Sequence, residues 1–106
     1  MERQVPVIVV HRLMWPRSDC RADVMEVLRE AIHESHSADG IVVHEAAADL
    51  IEPGRVLVIE VYDSPGDYRY YSETGHIAAM LRRLVPLVDG IDNVVLDVAS
   101  YWTESN

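Results

Sequence analysis

At 106 residues, with 49% apolar and 25% charged side chains, the chain has the length and composition of one globular domain, residues 1–106. A net charge of −9 argues against nucleic acid and anionic membranes as partners, since phosphate groups are bound by basic patches. The single cysteine, Cys20, has no internal disulfide partner, and no apolar run approaches the ~20 residues that span a bilayer, so we expect a cytoplasmic protein.

The first predicted strand, Val5–Leu13, is a nearly continuous β-branched run, which indicates burial on both faces. Alternation places one set of side chains on the face that we expect toward the helices: Val7, Val9, His11 and Leu13. A polar ring there needs a hydrogen-bond partner, so His11 is a candidate for a structural or a functional role. Arg12 lies on the opposite face and is the local candidate to pair with Glu60, whose alternative is a dimer contact.

A helix and a hairpin follow. The helix is predicted from about Asp19 or Asp23 to Ser37, because its apolar residues recur at helical spacing, and Asp39-Gly40 is its stop signal. Two apolar strands, 41–50 and 56–62, flank a turn and form the predicted hairpin.

The second helical region is predicted in two pieces. Ser64 is the expected N-cap of a short helix, with Pro65 at its first position. Thr74 is expected to cap a second helix that ends at Asp89-Gly90. A last strand is predicted over 94–102.

The element order β-α-β-β-α-β predicts an α+β, ferredoxin-like fold with an antiparallel four-stranded sheet and both helical regions on one face. A sheet with one wet face alternates apolar and polar residues, whereas these strands are apolar on both faces. We therefore expect a homodimer in which a second copy covers the free face by two-fold symmetry.

Candidate site residues concentrate around the broken helix. His76 lies in a first helical turn, where the dipole favours the neutral imidazole, although a ring that only hydrogen bonds the helix start is an equal reading. Tyr68, Tyr70 and Tyr71 point in different directions, and Tyr71 is our choice for a pocket. No phosphate loop, nucleotide fingerprint or metal-ligand spacing occurs, so we expect neither cofactor nor metal.

Several short motifs carry a resemblance to a known family. They are Arg12-Leu13 with Pro16, Gly40, Glu60 with Tyr62, Ser64, Tyr68 and Thr74-Gly75-His76. In this order, over essentially the whole chain, they resemble the antibiotic biosynthesis monooxygenase (ABM) family of dimeric α+β barrels. The resemblance implies a homodimer whose sheets close a barrel, with a pocket between sheet and helices in each subunit. Family members include cofactor-free oxygenases of anthrones and quinols, haem-degrading monooxygenases and proteins without an assigned activity.

The chain departs from the family pattern at informative positions. Family members commonly carry Trp, His and Tyr at the positions of Tyr62, Tyr71 and His44. The haem-degrading branch has Asn, Trp and an axial His where this chain has His11, Tyr71 and Met80, so haem degradation is the least favoured reading.

The leading hypothesis is a cofactor-independent monooxygenase that oxidises an anthrone- or quinol-like aromatic polyketide with molecular oxygen. His76 or His11 would be the general base and Tyr71 the donor that orients the substrate oxygen. Tyr68, Met80 and Trp102 complete the predicted substrate-binding set, with core or interface packing as the alternative for the last two. The rival is a non-oxygenase of the same fold, either a small-ligand-binding or accessory protein or a polyketide cyclase or isomerase.

Overall fold

A computed structural model describes the backbone of residues 2–3, 7–99 and 101–102 and the side chains of 7–99. Its strands are β1 (Glu2–Arg3), β2 (Val7–Pro16), β3 (Ile41–Ala48), β4 (Val56–Tyr62), β5 (Val88–Val98) and β6 (Tyr101–Trp102). Its helices are α1 (Arg21–Ser35), α2 (Pro65–Glu73) and α3 (His76–Leu84), and a 3₁₀ turn, Val85–Leu87, follows α3.

The main sheet is antiparallel, with strand order β3-β4-β2-β5, while β1 and β6 pair in a separate two-stranded ribbon. The strand that opens this sheet, β2, is therefore central and pairs with both β4 and β5. This is the ferredoxin-like arrangement, and the predicted fold class is confirmed. None of the described helices is long and apolar enough to cross a membrane.

The hydrophobic core lies between one face of the sheet and the helices. Its buried members include Ile8, Val10, Met14, Val24, Leu28, Val56, Val58, Tyr62, Ile77 and Leu84. The even-numbered residues of β2 therefore face the helices. The prediction that the odd-numbered residues, including His11, face the helices is wrong. His11 lies on the opposite face, between its strand neighbours Ile59 and Val94. Alternation determines which residues share a face, but an apolar run on both faces carries no signal for which face the helices cover.

The face of the sheet without helices is apolar and open in this chain. Ile59, Val94 and Leu96 are 38%, 52% and 50% exposed, although they lie within β-strands. They share this face with Val9, Leu13, Leu57 and Val61. We call this surface the open face.

The second helical region is divided as predicted, but its boundaries differ. Ser64 caps α2, since its Oγ accepts a hydrogen bond from the backbone N–H of Asp67 at 3.1 Å, and that prediction is confirmed. Thr74 ends α2 instead of capping α3, whose N-cap is Gly75. The helix then stops before the predicted Asp89-Gly90, because Pro86 has no N–H to continue it, and β5 begins at Val88.

Candidate active site

A groove of about 240 Å³ runs between α1 and α3. Its lining consists of Val27, Glu30, Ala31 and Glu34 from α1 and His76, Ala79, Met80 and Arg83 from α3. The floor is apolar and the walls carry two carboxylates, a guanidinium and an imidazole. The groove therefore offers an apolar surface for a ring, with acid–base groups at its edge.

His76, the first residue of α3, is held from one side by an aromatic neighbour. The rings of Tyr71 and His76 meet edge to face, with centroids 5.4 Å apart. Gly75 makes this approach possible, because a Cβ at that position would lie 2.8 Å from Cδ1 of Tyr71. The Thr74-Gly75-His76 motif thus has a local physical reason, which is close packing of α2 against the start of α3.

His76 also belongs to a chain of hydrogen bonds that enters the protein. Its Nε2 lies 2.6 Å from Oγ of Ser35, the last residue of α1. The same Oγ lies 2.7 Å from Nδ1 of His44 on β3. On the outer side, Nδ1 of His76 lies 3.6 Å from Oε2 of Glu34. The hydrogen bonds therefore run inward from His76 through Ser35 to the buried imidazole of His44, and the solvent-exposed Glu34 carboxylate lies just beyond hydrogen-bond distance at the outer end.

The His44 imidazole, at the inner end of these hydrogen bonds, is uncharged at neutral pH. His44 is only 5% exposed, and burial lowers its pKa from 6.5 to about 4. Its Nε2 is buried and has no hydrogen-bond partner among the described residues. Since Ser35 has one hydroxyl hydrogen, one of the two rings accepts a bond from it and the other donates a bond to it.

A second buried polar cluster lies beside His44, which is the cross-strand neighbour of Glu60. Arg12 donates to both oxygens of the Glu60 carboxylate, at 2.5 and 3.0 Å, and also to Oδ1 of Asn93 at 3.0 Å. The hydroxyl of Tyr62 donates to Glu60 at 2.6 Å, and burial together with this carboxylate raises the pKa of Tyr62. The pairing of Glu60 with Arg12 expected from the sequence is confirmed.

The structure separates the predicted site residues. His76 and Met80 line the groove. Tyr71 contacts His76, but its hydroxyl donates to the backbone carbonyl of Asp39 at 2.6 Å. Tyr68 packs edge to face on Tyr62, with centroids 5.4 Å apart, and it is not in the groove lining. The groove itself lies between two helices instead of between sheet and helices.

The other two predicted residues lie elsewhere. His11 borders a separate shallow hollow of about 170 Å³ on the open face, together with Glu45 and Ile59. It is therefore on the other side of the sheet from Tyr71 and Met80, and the three positions compared with haem-degrading proteins do not converge. The side chain of Trp102 lies outside the described residues.

Ser35, His44 and Glu34 are not among the site residues predicted from the sequence. One signal in the sequence could have pointed to Ser35, because it is a polar residue at a position in the apolar helical spacing of α1. In the structure Ser35 is 3% exposed. A polar group on a packed face needs a partner, but its partners come from β3 and α3. Among the described residues, no group of three or more side chains could hold a metal ion.

Comparisons with known proteins agree on the fold. The chain aligns with Rv0793 from Mycobacterium tuberculosis at 23% identity and a TM-score of 0.74, over 86% of this chain and 92% of the other. A candidate antibiotic biosynthesis monooxygenase from Deinococcus radiodurans aligns at 16% identity and 0.81, over 93% and 99%. A dimeric ferredoxin-like protein of unknown function from Thermobifida fusca aligns at 17% and 0.72, over 90% and 93%.

No curated protein matches the chain with significant sequence similarity. The family model for antibiotic biosynthesis monooxygenases, however, matches residues 7–83, which is more than half of the chain. This sequence match and the ferredoxin-like architecture point to the same group of proteins, and the chain belongs to the antibiotic biosynthesis monooxygenase family.

Proposed function

We propose that the chain is a cofactor-independent monooxygenase that oxidises a quinol- or anthrone-like aromatic compound with molecular oxygen, using His76 as general base. The observation that carries this proposal is the position of His76. It lines the groove between α1 and α3, while its Nε2 is held by Ser35 and its Nδ1 lies toward the Glu34 carboxylate. A base held within reach of a bound substrate contributes about 10²–10⁴ in rate.

The proposed reaction needs only groups on this wall. The imidazole of His76 removes the phenolic or enolic proton, and Arg83, which also pairs with Glu30, holds the anionic oxygen. The anion transfers one electron to oxygen, and the two radicals combine into a carbon-bound peroxide, to which the imidazolium returns its proton. Loss of the remaining hydrogen on that carbon as a proton then breaks the O–O bond and releases hydroxide. The proton and the hydroxide combine to form water. The product has gained one oxygen atom and lost two hydrogen atoms.

The size of the groove narrows the substrate class within this proposal. Its volume of about 240 Å³ lies below the roughly 300–1,000 Å³ typical of sites for drug-sized ligands. We therefore propose one- or two-ring quinols ahead of three-ring anthrones. Glu30 and Glu34 at the rim disfavour substrates that carry further negative charge.

The geometry favours His76 over His11 as the base. His11 lies on the open face, where β-strand residues line its hollow. None of the linked residues Glu34, His76, Ser35 and His44 lines that hollow. We assign Tyr71 a supporting role, because its hydroxyl is bonded to Asp39 and its ring packs against His76.

The test is oxygen uptake and product mass with a panel of hydroquinones, naphthoquinols and anthrones in air. We expect His76→Gln to reduce kcat by about 10²–10⁴-fold, because the positioned base is lost. His33→Gln is the matched control, since His33 is an exposed residue on α1, and His11→Gln tests the rejected base. Neither should change the rate by more than about two-fold.

Two results would contradict the proposal. Wild-type protein that is inert toward the whole panel would remove its basis. Turnover that persists without oxygen would instead indicate the cyclase or isomerase alternative.

We further propose a homodimer built through the open face. A continuous apolar surface of this kind is usually buried against a partner. The similar Thermobifida fusca protein is described as dimeric. The groove lies on the helical side of the sheet, so each subunit would carry its own site.

A further inference from the structure

Each of the two helices along the groove contributes its lining residues at positions i, i+3, i+4 and i+7, which share one helical face. Polar groups of the two faces meet in two places. At one end Glu34 faces His76, with 3.6 Å between Oε2 and Nδ1, and at the other end Glu30 forms an ion pair with Arg83. His76 and Arg83 are two helical turns apart, so the two ends are separated by about 10 Å along α3. The groove therefore has an apolar floor with a pair of polar groups at each end.

The two walls of the groove differ in their hydrogen-bonding chemistry. The α1 wall carries Glu30 and Glu34, whose carboxylates only accept hydrogen bonds, whereas the guanidinium of Arg83 on the α3 wall only donates them. The hydroxyl group of a phenol both donates and accepts, so it can bond to either wall. A carboxylate on a ligand only accepts, so its partners lie on the α3 wall, and the charged one is Arg83.

Arg83 is already occupied when no ligand is bound. Its Nη1 donates to Oε2 of Glu30. Among the described residues that line the groove, Arg83 is the one with a permanent positive charge. Two carboxylates against one guanidinium leave the lining with a net charge of −1 while His76 is neutral. A ligand carboxylate thus meets a negative groove and has to compete with Glu30 for its one charged partner.

Glu30 can disfavour an anion by direct repulsion or by occupying Arg83, and the second effect is the stronger one. The side chains of Glu30 and Arg83 are each 52% exposed, so water and salt screen a repulsion that acts across solvent. A freed guanidinium, in contrast, would bond directly to both oxygens of a carboxylate. Such charge-assisted bonds are roughly twice as strong as neutral hydrogen bonds.

We propose that Glu30 determines the charge selectivity of the groove through Arg83. By holding the guanidinium, Glu30 makes the groove bind an uncharged hydroxylated ring and reject a carboxylate of the same size. The proposal rests on the proposed function for the position of the ligand and adds the residue that selects it. The selectivity also suits a base such as His76, because an uncharged hydroxyl group arrives with the proton that the base removes.

The experiment is a titration of the full chain with 2-naphthol and with 2-naphthoate, followed by ¹⁵N–¹H correlation spectra of the backbone amides. These probes have nearly the same size, and neither is a quinol. At about pH 8 a phenol keeps its proton, a carboxylic acid has lost it and a histidine is neutral. We expect both probes to shift amides of α1 and α3, and wild-type protein to bind 2-naphthol about five-fold more tightly or better.

Variants of the ion pair test the dependence on Arg83. Glu30→Gln should tighten 2-naphthoate binding by about five-fold and change 2-naphthol binding by less than about two-fold. The same change in an Arg83→Gln background should give no gain, because no guanidinium is released. Glu26→Gln is the matched control, since Glu26 is an exposed carboxylate of α1 that pairs with Arg29 outside the groove. It changes the net charge equally and should affect neither probe.

Three results would overturn the proposal. An equal gain for 2-naphthoate with and without Arg83 would show direct repulsion by Glu30. An equal gain in Glu26→Gln would show an effect of overall charge. Equal binding of the two probes to wild type, or no binding of either in the groove, would show that the groove has no such selectivity.

The oxygen-uptake assay separates this proposal from the proposed function. If the probes respond as expected but no quinol is oxidised, the selectivity through Arg83 stands and the monooxygenase assignment fails. If quinols are oxidised but Glu30→Gln leaves 2-naphthoate binding unchanged, the selectivity fails and the monooxygenase assignment stands.

Discussion

Glu60 shows how one buried residue can organise its surroundings. It is fully buried, and its carboxylate accepts from Arg12 and from Tyr62. A buried charge is tolerated only when its partners satisfy it, and removal of one partner leaves the other charge uncompensated. Glu60 is therefore a residue of stability, located next to the hydrogen-bond chain at His44.

We predict that Glu60→Gln lowers the free energy of unfolding by about 3–5 kcal/mol, because the Arg12 guanidinium stays buried without its counter-charge. Urea denaturation at one fixed protein concentration measures the change. Glu73→Gln, at an exposed position of α2, should stay within about 0.5 kcal/mol. A loss below about 1 kcal/mol in Glu60→Gln would contradict the assignment.

His44 predicts a pH dependence of stability. Burial lowers its pKa from 6.5 to about 4, so between these values the unfolded chain binds a proton that the folded chain excludes. Stability is then fully retained above pH 6.5 and falls as the pH drops toward 4, by roughly 3 kcal/mol from this group. The difference between wild type and His44→Phe should shrink over that range in urea titrations. A difference independent of pH would show that His44 titrates normally.

At the scale of elements, α2 docks on the turn between α1 and β3. Gly40 in that turn has φ of +91°, and a Cβ there would collide with the carboxylate of Asp67 in the first turn of α2. Tyr71, near the other end of α2, donates to Asp39 in the same turn. The placement of Tyr71 against His76 thus depends on a turn that is far away in sequence.

We predict that Gly40→Ala is more destabilising than Gly54→Ala, although both positions have nearly equal positive φ, +91° and +89°. A side chain in this region costs about 1–2 kcal/mol at either position. At Gly54 nothing lies within 4 Å of an added Cβ, whereas at Gly40 the collision with Asp67 adds to the cost. Thermal unfolding of the two variants measures the difference. Equal losses would show that α2 moves away freely from the turn.

At the scale of the whole molecule, the proposed dimer depends on the open face. A monomer would leave Ile59, Val94 and Leu96 in contact with water over one continuous surface. The net charge of −9 opposes association, so in the proposed dimer the burial of this apolar surface has to outweigh the repulsion between two acidic chains.

We expect light scattering after size exclusion to give twice the mass of one chain. Ile59→Glu and Leu96→Glu should convert the dimer to monomer, because each places a charge within the buried interface. Val85→Glu is the matched control, since Val85 is 64% exposed but lies at the end of α3, away from the open face. A wild-type monomer at all concentrations, or dissociation in the control variant, would contradict this interface.

The sequence by itself determined the order of the helices and main-sheet strands, the fold class, the Ser64 cap and the Glu60–Arg12 pair, but not the separate ribbon of β1 and β6. These follow from local periodicity, turn chemistry and the need of a buried charge for a partner. It did not determine which face of β2 meets the helices, because two apolar faces are equivalent until the helices dock. For the same reason it pointed to His11 as well as His76.

Only the tertiary structure decided that Ser35 joins His44 and His76. The two histidines lie 9 and 41 positions from Ser35, on different elements, and no local pattern brings them together. The end of α1 must first pack between β3 and α3, and burial of apolar side chains drives that packing. The three polar residues form no periodic pattern in the sequence that would predict their contact. His76 was recognisable from its place at a helix start, whereas the hydroxyl and the ring that hold it were not.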